Sequence, residues 1–148
     1  DSVTAEKIAL VGGGVGLPPL YGLAKRLKSQ GKNITVLAGF NSAADIYYID
    51  KFSALAPTRV ATADGSAGEK GFVTALMNKD EFDYFYACGP LPMLHALYNA
   101  VEQDGQLSFE ERMGCGFGAC MGCSCKTKYG NKRICKEGPV LTKGEIIW

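Results

Sequence analysis

Short apolar runs alternate with stretches of helical spacing through residues 1–111, a pattern that predicts βαβ units around a parallel sheet. Residues 7–11 read as a first strand, followed by a glycine-rich turn and a helix reaching about Gln30. Residues 33–40 read as a second strand, with β-branched Ile34, Thr35 and Val36 suited to a buried pleat. A short helix is expected at 43–52, a third strand at 58–63, a helix at 69–77 and a fourth strand at 83–87. Met93, Leu94, Leu97, Tyr98 and Val101 recur at helical spacing, so 91–103 reads as an amphipathic helix packed on the core, with a fifth strand at 107–110. The expected fold is α/β: a small parallel five-stranded nucleotide-binding sheet with helices on both faces.

The pattern stops at Arg112. From there the chain reads as a loop-rich module, with Gly114, Gly116, Gly118 and Gly122 set among cysteines. Residues 124–128 and 132–135 flank Tyr129-Gly130-Asn131, which reads as a β-hairpin turn. Two domains are expected, 1–111 and 112–148, without internal repeats. No run of eighteen apolar residues exists, so no membrane span is expected. The first residues lack the charged start, apolar run and cleavage site of a secretory signal, and a cytoplasmic location is expected. The chain also lacks an initiator Met and runs almost directly into an apolar strand, which suggests a piece of a longer protein.

Charge sharpens the division. Residues 1–111 hold nine Lys and Arg against thirteen Asp and Glu; residues 112–148 hold seven against two. A basic segment raises nucleic acid as a partner, but aromatic side chains for stacking are scarce there, and none is expected. A better account lies in the cysteines. Four thiolates around two ferric irons and two sulfides sum to −2, and reduction adds another negative charge, which nearby Lys and Arg would offset.

Cys115, Cys120 and Cys123 follow C-x4-C-x2-C spacing, and Cys135 stands further on. That is the plant-type arrangement for a [2Fe–2S] cluster, in which a tight arc aims three sulfurs inward and a returning strand supplies the fourth. Intervening glycines let backbone N–H groups approach the sulfides. Two rival readings weigh less. Disulfides suit secreted chains, and zinc commonly takes two C-x2-C knuckles where only one is present. Cys125, two residues beyond Cys123, is either a substitute ligand or a packed thiol, the commoner fate of a free cysteine.

Gly12-Gly13-Gly14-Val15-Gly16 follows a strand and opens a helix, as a turn does when it presents backbone N–H groups to a phosphate. The strict G-x-G-x-x-G is absent, because Pro18 stands beside the place of the third glycine. A purely structural strand–helix turn remains the alternative. The acidic residue expected for a ribose is missing at the end of the second strand, and no Arg or Lys stands there for a 2′-phosphate, which favours NAD(H) over NADP(H). Asp64-Gly65-Ser66 and Cys88-Gly89-Pro90 also follow strands, at the carboxyl ends where open α/β sheets bind ligands. Asp64 has a second reading as a turn residue, and Cys88 as a buried strand end. His95 has no catalytic neighbour and reads as structural.

Gly12-Gly-Gly14-Val-Gly16 with Pro19, and Cys88-Gly-Pro90 with Pro92 and Met93, resemble the pyridine-nucleotide domain of the ferredoxin–NADP reductase superfamily. Asp64-Gly65-Ser66-Ala-Gly68 with Gly71 and Val73-Thr74 resembles something narrower. So do Glu111-Arg112-Met113 running into the cysteine arc and Cys135-Lys-Glu-Gly-Pro139-Val. They are similar to the electron-transfer subunits of bacterial NAD-linked (class 1B) dihydroorotate dehydrogenases. In that family a preceding β-barrel, not among these residues, holds most of an FAD. The resemblance implies a catalytic partner subunit that oxidises dihydroorotate to orotate with FMN, in a heterotetramer of pyrimidine biosynthesis. Electrons would then pass through the cluster to FAD and on to NAD+. It also implies Cys115, Cys120, Cys123 and Cys135 as ligands and Gly12–Gly16 as the NAD diphosphate turn. Cys88-Gly89-Pro90, with Met93, would lie by the nicotinamide, and Asn41 in the adenosine-side loop, where relatives often have Arg. The chain alone would not be a competent enzyme. Another flavin–iron–sulfur NAD(P)H oxidoreductase of the transhydrogenase or sulfide dehydrogenase type stays open, as does a zinc-bearing interaction module with no redox role.

Overall fold

The computed structural model describes residues 4–110 and 113–148. The anticipated boundary at 111/112, and the Glu111-Arg112 part of the motif, lie outside the described residues.

Nine strands and three α-helices are present among the described residues. β1 (Lys7–Gly13) leads into α1 (Leu17–Ser29), β2 (Asn33–Phe40), α2 (Ile49–Ser53), β3 (Thr58–Thr62) and β4 (Glu69–Lys70). β5 (Tyr84–Cys88), α3 (Leu91–Ala100) and β6 (Gly105–Ser108) follow, then β7 (Ser124–Thr127), β8 (Gly130–Arg133) and β9 (Val140–Thr142). The sheet has seven strands in the order β4-β3-β2-β1-β5-β6-β9, and β7 with β8 forms a separate hairpin. The strand pairs from β4 to β6 are parallel, and β9 closes the β6 edge antiparallel.

Burial explains the layering. β1 buries Ile8, Ala9, Leu10 and Val11 completely, as a strand covered on both faces must. Its alternate side chains enter two cores. Ile8 and Leu10 meet Leu17, Leu20, Ala24 and Leu27 of α1 and Phe52 of α2. Ala9 and Val11 meet Leu94 and Leu97 of α3, with Val73 and Leu76. Helices therefore lie on both faces, as the sequence predicts. Pro18 and Pro19 open α1 at its first turn, where a missing N–H costs nothing.

The structure corrects four expectations. The sheet has seven strands rather than five, because the cysteine module contributes β9 and β4 adds a short edge. The helix expected at 69–77 is β4 followed by a single 3-10 turn, Val73–Leu76. Gly71 stands between them at φ +131°, which no helix accommodates, and Phe72 is extended and three-quarters exposed. The helix expected at 43–52 is broken into a 3-10 turn, Ala43–Asp45, and α2. The hairpin turns at Lys128-Tyr129, ahead of the expected Tyr129-Gly130-Asn131, with Thr127 paired to Gly130.

The module is attached to the sheet at several points. Leu107 pairs with Leu141, while within the module Thr127 bridges to Ile146 and Lys132 reaches Glu145 at 3.1 Å, tying the β7–β8 hairpin to the segment after β9. Lys143 donates to the carbonyls of Val101 and Gln103 just past α3. Trp148 stacks on His95 of α3, ring centroids 4.6 Å apart, and lies against Phe109.

Candidate functional site

Strand order reverses beside β1: chain connections run outward through β2, β3 and β4, then cross to β5 on the other side. In open α/β sheets this switch point, at the carboxyl ends of the strands, leaves a crevice between diverging loops. A cavity of about 680 Å³ lies here. Gly13, Gly14 and Val15 wall it, with Asn41 after β2 and Pro90 and Met93 after β5.

Not every glycine of the turn faces this space. Gly14 sits at φ +54°, and a Cβ there would meet nothing within 4 Å, so its backbone is open to a ligand. Gly16 does a different job. A Cβ there would fall 2.0 Å from the Cys88 carbonyl oxygen, so glycine is what lets the turn after β1 close against the turn after β5. Gly12 packs on Leu17 and Leu20, and a Cβ on Gly89 would meet the Gly13 backbone at 3.1 Å. Gly12, Gly16, Cys88 and Gly89 thus form the support behind the cavity wall. Cys88 is buried, and that burial pushes its thiol pKa up, against a hydrogen bond to Ser108.

Asp64, Gly65 and Ser66 stand apart from the cavity lining. Asp64 accepts hydrogen bonds from the Ser66 N–H at 2.9 Å and its hydroxyl at 2.6 Å, which hold its carboxyl below the usual aspartate range. Ser66 Oγ in turn accepts the Ala43 N–H at 2.7 Å. The three residues brace one loop against the next, which is a turn role.

Sequence reasoning missed the aromatic rim. Phe40, Tyr47 and Phe72 line the cavity together with Asp45. Tyr47 donates its hydroxyl to the Gly14 carbonyl, joining the loop after β2 to the glycine turn. The available signal was Phe72, an apolar residue directly after a glycine and left outside both cores. Asp45 caps its own turn by accepting from Ser42 N–H and Oγ, so an acidic group does stand near the end of β2, a few residues past the position where a ribose partner is expected.

The cysteines form the second centre. None of the six is in a disulfide. Cys115 lies beside Cys120, and Cys123 beside Cys135. Backbone N–H groups of Cys120, Phe117 and Ala119 bring the Cys115 pKa down to about 6, the Ala119 contact being 3.2 Å. Gly122 N–H lies 3.5 Å from Cys120 Sγ, and Cys135 N–H lies 3.4 Å from Cys123 Sγ. The Cys135 bond also lowers the Cys123 pKa. Positive φ at Gly116, Gly118 and Met121 bends the arc so that its N–H groups turn inward. Among the described residues, no three His, Cys, Asp or Glu side chains gather as a mononuclear metal site. Two sulfur pairs ringed by N–H donors are instead what a two-iron cluster takes, two sulfurs to each iron. The donor set fits that group. Cys125 packs against the core beside this centre, and His95 is occupied by its stack on Trp148.

Comparison with known proteins agrees with both centres. Residues 10–99 match the oxidoreductase NAD-binding domain, and residues 110–147 match the iron–sulfur cluster binding domain of dihydroorotate dehydrogenase B. The electron transfer subunit of dihydroorotate dehydrogenase B (NAD(+)) from Fusobacterium nucleatum is 47% identical over 98% of this chain and 60% of its own length. The subunit of that name from Lysinibacillus sphaericus is 49% identical over 93% and 56%. The chain thus spans less than two thirds of these relatives. A solved NADH-dependent reduced ferredoxin–NADP oxidoreductase, studied for flavin-based electron bifurcation, superposes with a TM-score of 0.84. It is 33% identical and covers 95% of this chain and 54% of its own. The cytochrome b5 reductase domain of Ulva prolifera nitrate reductase shares the fold at TM-score 0.51 and 23% identity, over 61% of this chain and 40% of its own.

Proposed function

This chain belongs to the oxidoreductase NAD-binding domain family, and on that premise we propose that it is the nicotinamide- and cluster-bearing part of a dihydroorotate dehydrogenase B electron transfer subunit. The observation that carries the proposal is a single chain holding a switch-point cavity and, in a module joined to the same sheet through β9, two neighbouring pairs of cysteines. Residues 1–111 make the NAD-binding domain and 112–148 the cluster module. Gly13, Gly14 and Val15 receive the NAD diphosphate at the head of α1, while Asn41 faces the adenosine side. Cys88-Gly89-Pro90 and Met93 flank the nicotinamide, where the buried thiol stays protonated and leaves the hydride path uncharged. Cys115, Cys120, Cys123 and Cys135 hold a [2Fe–2S] cluster, which supplies one-electron transfer when bound. Asp64, Gly65 and Ser66 brace the NAD cleft through Ala43.

The partner on this reading is an FMN-bearing catalytic subunit that oxidises dihydroorotate to orotate, in a cytoplasmic heterotetramer. FAD belongs to the remainder of the longer subunit. A second reading has one observation in its favour, the 0.84 superposition on the ferredoxin–NADP oxidoreductase; it is a small subunit of that bifurcating type. The higher identity of the dihydroorotate relatives favours the first.

Anaerobic reconstitution with iron and sulfide, followed by EPR of the reduced protein, tests the cluster. A [2Fe–2S] signal is expected; tight zinc with no iron or sulfide uptake overturns it. Affinity capture with the full-length subunit separates the two readings, since recovery of an FMN dehydrogenase active on dihydroorotate is expected and a ferredoxin-reducing partner overturns the first. The chain alone should not reduce added FAD with NADH at an enzymatic rate.

A further inference from the structure

The turn that carries Cys135 is built around one side chain. The Arg133 carbonyl accepts N–H groups of Lys136, Glu137 and Gly138 at 3.1, 2.7 and 3.2 Å. The Arg133 N–H donates to Glu137 Oε2 at 2.6 Å, and its Nε donates to both Glu137 oxygens. One guanidinium edge is thereby fixed. The other donates through Nη1 to the Gly118 carbonyl at 2.6 Å, across to the arc between Cys115 and Cys120. Gly118 is buried at φ +93°, and Arg133 and Glu137 keep only 24% and 32% of their side-chain exposure. Arg133 thus spans from the arc of the first sulfur pair to the turn of the second, beside the Gly118 N–H that donates to the Cys135 sulfur.

We propose that Arg133 is a positioning residue for the cluster: its planar fork locks the Gly118 arc to the Cys135 turn, setting the separation of the two cysteine pairs, while Glu137 aims the fork and masks its charge. The proposal rests on the cluster reading above. An ammonium has no second edge to spread between Glu137 and Gly118, so lysine cannot replace the arginine. The ion pair also bears on reduction. With Glu137 in place, the Arg133 charge beside Cys123 and Cys135 is largely cancelled; without it, a bare cation faces the sulfurs and favours the reduced, more negative cluster.

The test uses the anaerobically reconstituted chain and its Arg133→Lys, Arg133→Gln and Glu137→Gln variants. Iron loss to a chelator is followed by visible absorbance, the midpoint potential by EPR-monitored titration, and folding by circular dichroism. Both Arg133 variants are expected to lose iron about tenfold faster, the low end of the effect of an outer-shell partner. Glu137→Gln is expected to shift the potential upward and Arg133→Gln downward. Wild-type retention by Arg133→Lys overturns the clamp, as does a shift of the same sign in both glutamine variants. A wild-type chain that takes up no iron and sulfide overturns the cluster reading itself, and the two failures are told apart by that control.

Discussion

β1 buries four consecutive side chains completely, whereas in the arc from Met113 to Cys123 only Gly118 and Cys123 are buried. The two regions solve the same problem by different physics. The sheet offsets its conformational entropy by removing apolar surface from water on both faces. The arc has little such surface to remove, and its order comes from N–H groups converging on sulfur, a guanidinium fork and attachment to a strand edge. The contrast teaches where each function sits. The switch-point cleft rests on packing that exists without a ligand, while the order of the cysteine centre would be completed by a bound group.

The sharpest break of this comparison is Cys123→Ser. It should abolish the visible absorbance of the reconstituted chain yet change NADH affinity by no more than roughly twofold, because distant sites act independently; calorimetric titration checks the affinity. Next comes Leu10→Ala, which opens a cavity where β1 meets α1. It should lower unfolding stability by about 3 kcal/mol in denaturant titrations, while a folded fraction still takes up iron. Leu141→Ala probes the junction. A loss of about 2 kcal/mol, accompanied by faster chelator removal of iron, would mean that sheet and module support each other; stability lost with iron retention unchanged would separate them.

The smallest effect concerns an ion pair far from both centres. Arg59 and Glu81 form a two-pronged pair, one prong at 2.9 Å, and Arg59 holds the Glu81 carboxyl below the usual glutamate range. A carboxylate with depressed pKa contributes stability above its unfolded value and loses it as pH falls through the folded one. Melting temperature should therefore drop as pH falls below about 4, and Glu81→Gln should remove that component at a neutral-pH cost under about 1 kcal/mol, since the pair is partly exposed.

Most of the fold was legible because it is periodic. The span of β2, the start of α1 and the apolar stripe of α3 follow from local spacing. β9 was not legible, since three residues carry no period and their partner, β6, is distant in sequence. The failed helix at 69–77 shows the same limit from the other side: Phe72, Val73 and Leu76 mimic a helical face, but Gly71 redirects the chain. At the cleft, the motif glycines located the site without sorting ligand-facing Gly14 from packing Gly16. That distinction depends on Cys88, which only the register of β1 against β5 brings close. The four cysteines stood out from spacing as a candidate ligand set, whereas the Arg133 fork did not, because its contact with Gly118 is set by a backbone turn rather than by any motif.

Residues 140–142 have one more consequence. A sheet of this kind has two open rims, and an unpaired rim invites another extended chain to add to it. At one rim stands β4, two residues long and both charged, a poor template. At the other, β6 would present its backbone to the solvent were it not for β9. The cysteine module is therefore also a lid on a sticky margin. Damage that unseats it should surface as self-association of the chain, which light scattering would register.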